Sequence, residues 1–207
     1  MMWRALFGLV LSLACAAQAQ TTAQAQAERP APASPVPPAL PGIHTPPAMP
    51  ARGTVQVAFA PWDNAEAMIV DGVRRAKQQI LVQAFSFTSR TLANALVAAR
   101  RRGVDVQVMA DREQTFNSES SRIPDLVQAG IPVMLEVRYQ SAHNKVMVVD
   151  AGTADGAVIT GSYNWTYAAQ FKNAENVLIL RRNPEVAKAY ADNWRRHYVD
   201  SLPYIEP

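Results

Sequence analysis

Three short apolar segments in the second half of the chain, each bordered by polar side chains, constrain its fold most strongly. Residues 145–149 read KVMVV, which is too apolar for a loop and too rich in β-branched side chains for a good helix. Such a segment predicts a buried β-strand. Residues 158–160 and 177–180 have the same character. The three segments therefore predict strands whose ends carry polar side chains.

The polar residues at the first strand form a pair that suits an anion. Alternate side chains of a strand share a face, so His143 and Lys145 are expected to point the same way. Asp150 has the opposite parity and is expected to face the other side. An imidazole and an ammonium directed at one small volume suit an anionic group better than an apolar one.

The other two strands add hydrogen-bonding groups. Ser162 and Asn164 share parity just after the second strand, and Asn173 and Glu175 share parity just before the third. Together the strand ends offer a base or nucleophile, a cation, hydroxyl and amide donors, and a carboxylate. A carboxylate is what a histidine needs to hold one tautomer and to stabilise a positively charged ring.

These motifs resemble those of a known family. The pattern HxKxxxxD that begins at His143, followed by GSxN at Gly161, resembles the phospholipase D superfamily, and the single short copy is similar to its bacterial endonuclease branch. The resemblance covers roughly the last 150 residues. One departure is visible, because ten residues separate Asp150 from Gly161, where the family pattern usually has about six. The additional residues, around 152–156, are typical of a longer hairpin turn.

The resemblance implies a role for each motif residue. His143 is expected to be catalytic, and Lys145 is expected to act with it and to bind the substrate phosphate. Ser162 and Asn164 are expected to bind the same phosphate, although serine and asparagine also cap turns. Glu175 is expected to pair with a ring nitrogen of His143, and its alternative role is a surface salt bridge.

Three further residues belong to the same motifs. Asp150 and Gly161 are expected to have structural roles, Asp150 through hydrogen bonds. Trp165 has two interpretations, since its ring can stack on a nucleic-acid base or pack against the sheet.

No metal or other cofactor is expected. Besides His143 the chain has only His44 and His197, and its one cysteine, Cys15, lies in a segment that is predicted to be removed. No convergent cluster of ligands at a useful spacing remains.

The chemistry of phosphoryl transfer predicts a homodimer. Displacement at phosphorus runs in line, so the nucleophile and the acid for the leaving group must lie on opposite sides of the phosphate. One histidine cannot occupy both places, and the chain has one copy of the motif. The sequence therefore predicts a two-fold dimer with a shared active site. As the resemblance implies, one His143 would form a phosphohistidine while the other acts as acid and then as base.

The chain divides into three predicted regions. A length of 207 residues allows one domain and a tail. Residues 1–19 have the parts of a secretory signal peptide, which predicts a periplasmic or secreted protein. The alternative is a lipoprotein that is membrane-anchored through Cys15. Residues 20–53 hold nine of the fifteen prolines and predict a disordered Pro/Ala-rich linker. Residues 54–207 are the predicted phospholipase D-like nuclease domain.

Strands that alternate with helices predict an α/β fold with a mixed β-sheet flanked by helices, one domain per chain. Ahead of the three motif strands, further strands are expected at 55–60, 80–85, 104–110 and 131–137. A capping box of Asp63 and Glu66 is expected to open the first helix, which continues to about residue 77. The other helices are expected from Thr88 or Ser89 to Arg102, just before Gly130, and from Pro184 to about Tyr198, with a loop at 111–121.

The net charge of the domain and the distribution of its arginines favour different conclusions about nucleic-acid binding. Residues 54–207 carry 17 Lys and Arg against 16 Asp and Glu, and this weak net charge does not favour long-range capture of nucleic acid. The arginines nevertheless cluster, and each cluster has two interpretations, contact with phosphate or a solvated face. The clusters are at 74–75, 100–102, 181–182 and 195–196.

The expected function is cleavage of DNA and/or RNA without sequence preference. A phospholipase is the enzymatic alternative, and the absence of an apolar helix or loop suited to a membrane surface counts against it. A catalytically silent nucleic-acid-binding module is the alternative from another class. The complete set of polar residues in the motifs counts against that one.

Overall fold

One eight-stranded sheet organises residues 45–205, which are the residues that the computed structural model describes. In chain order the strands are β1 (Thr54–Ala60), β2 (Gln79–Ala84), β3 (Asp105–Asp111), β4 (Val133–Glu136), β5 (Lys145–Val149), β6 (Ala157–Gly161), β7 (Glu175–Arg181) and β8 (Leu202–Pro203). Their order across the sheet is β1-β7-β6-β5-β2-β3-β4-β8. Strand β3 runs parallel to β2 and β4, and all the other pairs are antiparallel. The predicted mixed sheet is therefore confirmed.

Six helices flank this sheet within the described residues. They are α1 (Ala65–Arg75), α2 (Arg90–Arg101), α3 (Arg112–Phe116), α4 (Ile123–Gln128), α5 (Tyr167–Phe171) and α6 (Pro184–Val199). No helix in this part of the chain is both long enough and apolar enough to cross a membrane.

The alternation of side chains along the strands produces two cores, one on each face of the sheet. Val82 and Met147 belong to the larger core, which α1, α2 and α4 cover. Leu81 and Val148, each one position away along the same strands, belong to the smaller core under α6. Because successive side chains of a strand point to opposite faces, the apolar runs of β2 and β5 fill both cores.

Most helix starts follow local capping rules. The Ser89 hydroxyl accepts from the backbone N–H of Leu92 at 3.1 Å, which confirms the predicted start of α2. Helix α6 begins at Pro184 after the cap Asn183, as predicted.

The capping box predicted for α1 is wrong. Asn64 is the cap, and its side chain accepts from the N–H of Ala67 at 3.0 Å. The carboxylate of Asp63 instead accepts from the N–H of Phe59. The N–H of Glu66 donates to Gln170, far away in sequence. A tertiary contact therefore replaces the local reciprocal bond.

The predicted loop at residues 111–121 contains helix α3. The buried Asp111 carboxylate accepts from the N–H of Gln114 at 2.9 Å and begins this short turn of helix. The short elements α5 and β8 were not predicted either, since five and two residues carry too little periodicity to be detected.

The N-terminal predictions concern residues that are mostly not described. The signal peptide at 1–19 and residues 20–44 of the linker lie outside the described residues. The compact unit that contains the sheet begins at Ala48, ahead of the predicted boundary at Thr54. The carbonyl of Pro50 accepts from the Asn183 side chain at 3.1 Å, so this part of the predicted linker contacts the cap of α6.

One buried carboxylate connects the two central strands β5 and β2 through hydrogen bonds. Asp150, directly after β5, accepts backbone N–H bonds from Lys77, Gln78 and Gln79, each at 2.8 Å. These donors form the turn between α1 and β2, so the end of β5 is fixed to the start of its neighbour. Asp150 is 4% exposed and has a φ of +49°, a conformation that aspartate and asparagine tolerate.

We expect Asp150→Asn to destabilise the protein by about 1–3 kcal/mol, because an amide N–H₂ would face a backbone N–H and leave it unpaired. Asparagine keeps the backbone conformation at this position, so the loss reports the hydrogen bonds. Urea unfolding measures it. The control is Asp155→Asn, which breaks only the exposed 2.9 Å pair with Lys77 and is expected to change little. Equal stability of both variants would contradict this role for Asp150.

Candidate active site

His143 and Lys145 lie together beside one aromatic ring. Lys145 pairs with Ala84 in the β2–β5 register, and the next residue, Phe85, donates its N–H to the carbonyl of Asn144 at 3.0 Å. The His143 ring meets the Phe85 ring edge-on, with centroids 4.5 Å apart. Lys145 Nζ lies 4.6 Å from the centroid of the same ring. The prediction that the two side chains share a side of the strand is confirmed.

Lys145 is a buried residue, and its ammonium has no counter-ion among the described residues. The residue is 5% exposed, and Nζ donates to the backbone carbonyl of His143 at 2.7 Å. Among residues 45–205, no carboxylate forms an ion pair with it. Burial lowers the pKa of Lys145 to about 8, and the charge of Glu175 opposes this shift. A buried, unpaired cation is costly, and its presence indicates a place for an anionic ligand.

Ser162 and Glu175 form a hydrogen-bonded network between β6 and β7. The Ser162 hydroxyl donates to Glu175 Oε2 at 2.5 Å, and Asn173 Nδ2 donates to Glu175 Oε1 at 3.0 Å. Ser162 Oγ also accepts from the N–H of Asn176 at 3.0 Å. Gly161 allows β6 and β7 to lie this close together, because a Cβ at that position would lie 2.1 Å from the Asn176 carbonyl oxygen.

The predicted pairing of Glu175 with His143 is absent from the structure of the single chain. Both Glu175 oxygens accept from other groups, and within the described residues the His143 ring has its contact with Phe85 but no hydrogen bond. The alternation of side chains along the strand correctly placed Glu175 at a strand end. It does not specify which side chain of another strand Glu175 contacts.

The segment after β6 contains buried polar atoms without partners. Asn164 Oδ1 and the Tyr163 hydroxyl are both buried and make no hydrogen bond within residues 45–205. Burial, together with the charges of Glu66 and Glu175, raises the pKa of Tyr163. Because an unpaired buried polar group costs free energy, two of them in adjacent residues indicate a missing ligand or partner. Tyr163 was not singled out from the sequence.

Trp165 is not available to stack on a base. It is 1% exposed, and its Nε1 donates to the backbone carbonyl of Gln83 at 3.0 Å. Its own carbonyl accepts from the N–H groups of Thr88 and Ser89. Nucleic-acid contact through Trp165 is therefore corrected to the alternative interpretation, packing against the sheet.

The loop that carries His143 is held by residues that sequence reasoning missed. The buried Asp111 accepts from the N–H of Ala142 at 2.9 Å. Earlier in the loop, Arg138 forms an ion pair with Asp200, and the Tyr139 ring lies 5.1 Å from the ring of His197. No sequence signal marked Asp111 for this role, because its partner lies 31 positions away.

Exposed aromatic rings lie around the end of β1, which pairs with Glu175, and on α5, and we call them the aromatic rim: Phe59, Trp62, Tyr167 and Phe171. Trp62 is 84% exposed, and the rings of Tyr167 and Phe171 lie 4.6 Å apart. The Gln170 side chain of α5 donates to the carbonyl of Asp63, which holds α5 next to the loop of Trp62. These exposed rings count against the expectation that the chain has no apolar helix or loop suited to a membrane surface.

The side chains that meet here suit a phosphate group rather than a metal ion. Among residues 45–205, no group of three or more His, Cys, Asp and Glu side chains is positioned to hold a metal. An imidazole, an ammonium, hydroxyls and amides are the groups that bind and transfer phosphoryl groups in proteins.

Comparison with known proteins defines the class and then the family. Residues 69–198 match the protein family described as "Cardiolipin synthase, PLD-like domain". The phospholipase D of Rickettsia typhi is 34% identical over 144 residues, which are 70% of this chain and 68% of that protein. The mitochondrial cardiolipin hydrolase of Xenopus laevis is 34% identical over 141 residues, which are 68% of this chain and 64% of that protein.

Solved structures agree with these matches. A phospholipase D family member, Nuc from Salmonella typhimurium, has a TM-score of 0.69 at 31% identity, over 74% of this chain and 99% of that one. NucT from Helicobacter pylori shares the fold, with a TM-score of 0.65 at 22% identity, over 73% and 99% of the two chains. The fold and the relatives define the class of this protein as a phosphodiesterase. The chain belongs to the phospholipase D superfamily.

We expect Lys145→Met to abolish hydrolysis of bis(p-nitrophenyl) phosphate and to raise stability at pH 7, because it removes a buried unpaired charge. The folded-state pKa of about 8 lies below the ordinary value of 10.5. The unfolded chain therefore binds more protons between these values, so wild-type stability rises across that pH window. The difference in unfolding free energy between Lys145→Met and wild type should therefore shrink as the pH rises from about 8 to 10.5, as measured by urea unfolding.

The exposed Lys172 provides the control for this prediction. Lys172→Met should show neither the gain in stability nor its pH dependence. A Lys145→Met variant less stable than wild type at pH 7 would contradict a destabilising ammonium.

Proposed function

We propose that this phosphodiesterase is a non-specific endonuclease for DNA and/or RNA, which needs no metal and uses a phosphohistidine at a site shared by two chains. The observation that carries the proposal is the ammonium of the buried Lys145, which has no counter-ion among residues 45–205 and lies against the same Phe85 ring as the imidazole of His143. Such a cation stabilises negative charge on the non-bridging oxygens of a phosphodiester. We also propose a periplasmic or secreted location, which rests on the predicted signal peptide at 1–19.

The proposed reaction proceeds in two in-line steps. A ring nitrogen of one His143 attacks phosphorus, the bond from phosphorus to the leaving oxygen breaks, and His143 of the partner subunit donates a proton to that oxygen. The partner imidazole, now neutral, then removes a proton from water. The resulting hydroxide attacks phosphorus and displaces the first histidine, which restores both rings.

The structure limits how the polar residues take part. A hydroxyl has one proton, and the Ser162 proton is already donated to Glu175, so direct binding of phosphate through it requires that bond to be exchanged. The Asn164 side chain makes no hydrogen bond within residues 45–205, so its Nδ2 can donate to a phosphate oxygen without such an exchange. We therefore propose Asn164 and Lys145 as the direct phosphate ligands, with Ser162 binding after rearrangement.

The proposed role of Glu175 also involves the second chain. Its carboxylate contacts Ser162 and Asn173 but not His143 of the same chain. A two-fold axis through the site would bring a second imidazole toward the same strand ends. We propose that Glu175 stabilises the imidazolium of the partner subunit's His143.

Mixed dimers test the shared site. Wild-type and His143→Ala chains with different tags are co-expressed, and dimers that carry both tags are isolated. We expect their activity to fall at least about 100-fold, because loss of general acid–base catalysis has at least that effect. Dimers of two differently tagged wild-type chains are the control. About half of the control activity in the mixed dimer would show that each chain works alone.

A lipid hydrolase is the second candidate function. The relatives named phospholipase D and cardiolipin hydrolase favour it, and the aromatic rim favours it too, since Trp and Tyr side chains are common at membrane surfaces. The third candidate, a silent nucleic-acid-binding module, has no such support.

One substrate panel separates these candidates. Purified protein is incubated in excess EDTA with plasmid, single-stranded DNA, RNA and phosphatidylcholine or cardiolipin vesicles. We expect metal-free cleavage of the nucleic acids and loss of that cleavage in His143→Ala. Release of lipid headgroups without nicking would identify a lipase. Retarded but uncut DNA would identify a binding module.

A further inference from the structure

A groove between α2 and α4 is lined by arginines that no part of the active site uses. It is an open groove of about 440 Å³. Its charged and amide side chains are Arg90, Asn94 and Arg101 from α2, and Arg122, Asp125 and Gln128 from α4 and its cap. With three arginines against one aspartate, this groove is cationic although the whole domain is nearly neutral.

The α2 residues of the groove form one stripe. Arg90, Asn94 and Arg101 are separated by four and seven positions, which correspond to about one and two turns of helix and place them on one face. Arg90 and Arg101 are exposed, and their side chains make no ion pair or hydrogen bond with any residue from 45 to 205. By contrast, Arg102, which lies off this stripe, donates to the carbonyls of Val73 and Arg74 at the end of α1.

Arg122 adds a donor on the opposite wall of the groove. One of its guanidinium nitrogens lies 3.2 Å from Asp125, but its Nε is buried and has no hydrogen-bond partner in the described chain. A guanidinium is a planar fork that binds phosphate oxygens through two N–H groups. A buried N–H without an acceptor therefore indicates that an acceptor is supplied by a ligand.

Hydrogen bonds connect the groove to the active site. The N–H of Arg122 donates to the Phe87 carbonyl at 2.9 Å, and Phe87 forms a bridge with Trp165. Ser89, which precedes Arg90, donates its N–H to the Trp165 carbonyl at 2.9 Å. Trp165 directly follows Asn164. The Arg90 end of the arginine stripe therefore lies next to Trp165, which directly follows the site residue Asn164.

We propose that the α2–α4 groove binds the phosphate backbone of a polynucleotide on one side of the bond that is cut, which makes it a specificity site for long nucleic acids. This inference rests on the proposed nuclease function. Arg90 and Arg101 are eleven positions apart, which is about 16 Å along a helix at 1.5 Å per residue. At about 3.4 Å per nucleotide, the groove spans about five nucleotides of a strand. Regularly repeated anionic charge is a property of nucleic acid, whereas a single phospholipid offers one headgroup.

The test compares substrates of different length in an R90Q/R101Q/R122Q variant. With bis(p-nitrophenyl) phosphate, which does not reach the groove, kcat and KM should stay within about twofold of wild type. With a single-stranded oligonucleotide of 20 residues, KM should rise about tenfold or more while kcat changes little. The salt dependence of log KM should also become shallower by about 2, since each lost phosphate contact removes about 0.7 from the slope.

A matched control has three other exposed arginines replaced, R74Q/R100Q/R195Q, and should keep the wild-type KM and salt slope. Both triple variants remove the same charge, so a difference between them reports the groove. If wild type cuts oligonucleotides and the groove variant cuts them equally well, the groove proposal is overturned and the nuclease function stands. If wild type cuts no nucleic acid, the nuclease function itself fails. If the groove variant instead loses hydrolysis of cardiolipin vesicles, the groove serves a lipid and the proposal is overturned.

Discussion

The three backbone hydrogen bonds accepted by Asp150 are the interaction on which the geometry of the site depends. They fix one end of β5 to the turn before β2, in the centre of the sheet. A strand has a nearly constant rise per residue, so fixing one end determines where the other end lies. At that other end, Lys145 and His143 meet Phe85, the residue that follows β2. The carboxylate thus acts on the site from the far end of a five-residue strand.

Several buried polar groups of the site lack hydrogen-bond partners or a counter-ion among residues 45–205. Asp111, by comparison, is paired with two backbone N–H groups, and Gln83 is paired with Glu136. Near the strand ends, the Lys145 ammonium has no counter-ion among the described residues, and Asn164 Oδ1 has no hydrogen-bond partner there. This contrast is expected where stability is given up for binding and catalysis, because the oxygen atoms of a ligand accept from the Lys145 ammonium.

Two surfaces of opposite character lie next to parts of the site and bear on its substrate. The aromatic rim is apolar and includes Trp62, which is almost fully exposed. The α2–α4 groove is cationic and extends away from Trp165 along a helix. The relatives are named for lipid hydrolysis as well as for Nuc, so family membership alone leaves the substrate open. Charge repeated along about 16 Å suits a polymer, whereas exposed rings suit either stacked bases or a lipid surface.

The sequence by itself determined the seven longer strands, the starts of α2 and α6, and the shared side of His143 and Lys145, because side-chain alternation and capping are properties of adjacent residues. It also indicated the superfamily through the HxKxxxxD motif and the GSxN motif that follows it. Only the tertiary structure decided that Glu175 contacts Ser162, that Trp165 is buried, and that Asn64 rather than Asp63 caps α1. Each of these depends on a partner in a distant segment, or on the competition that such a partner creates. Periodicity specifies which face a side chain occupies, whereas its partner on that face is selected by how strands far apart in sequence are packed.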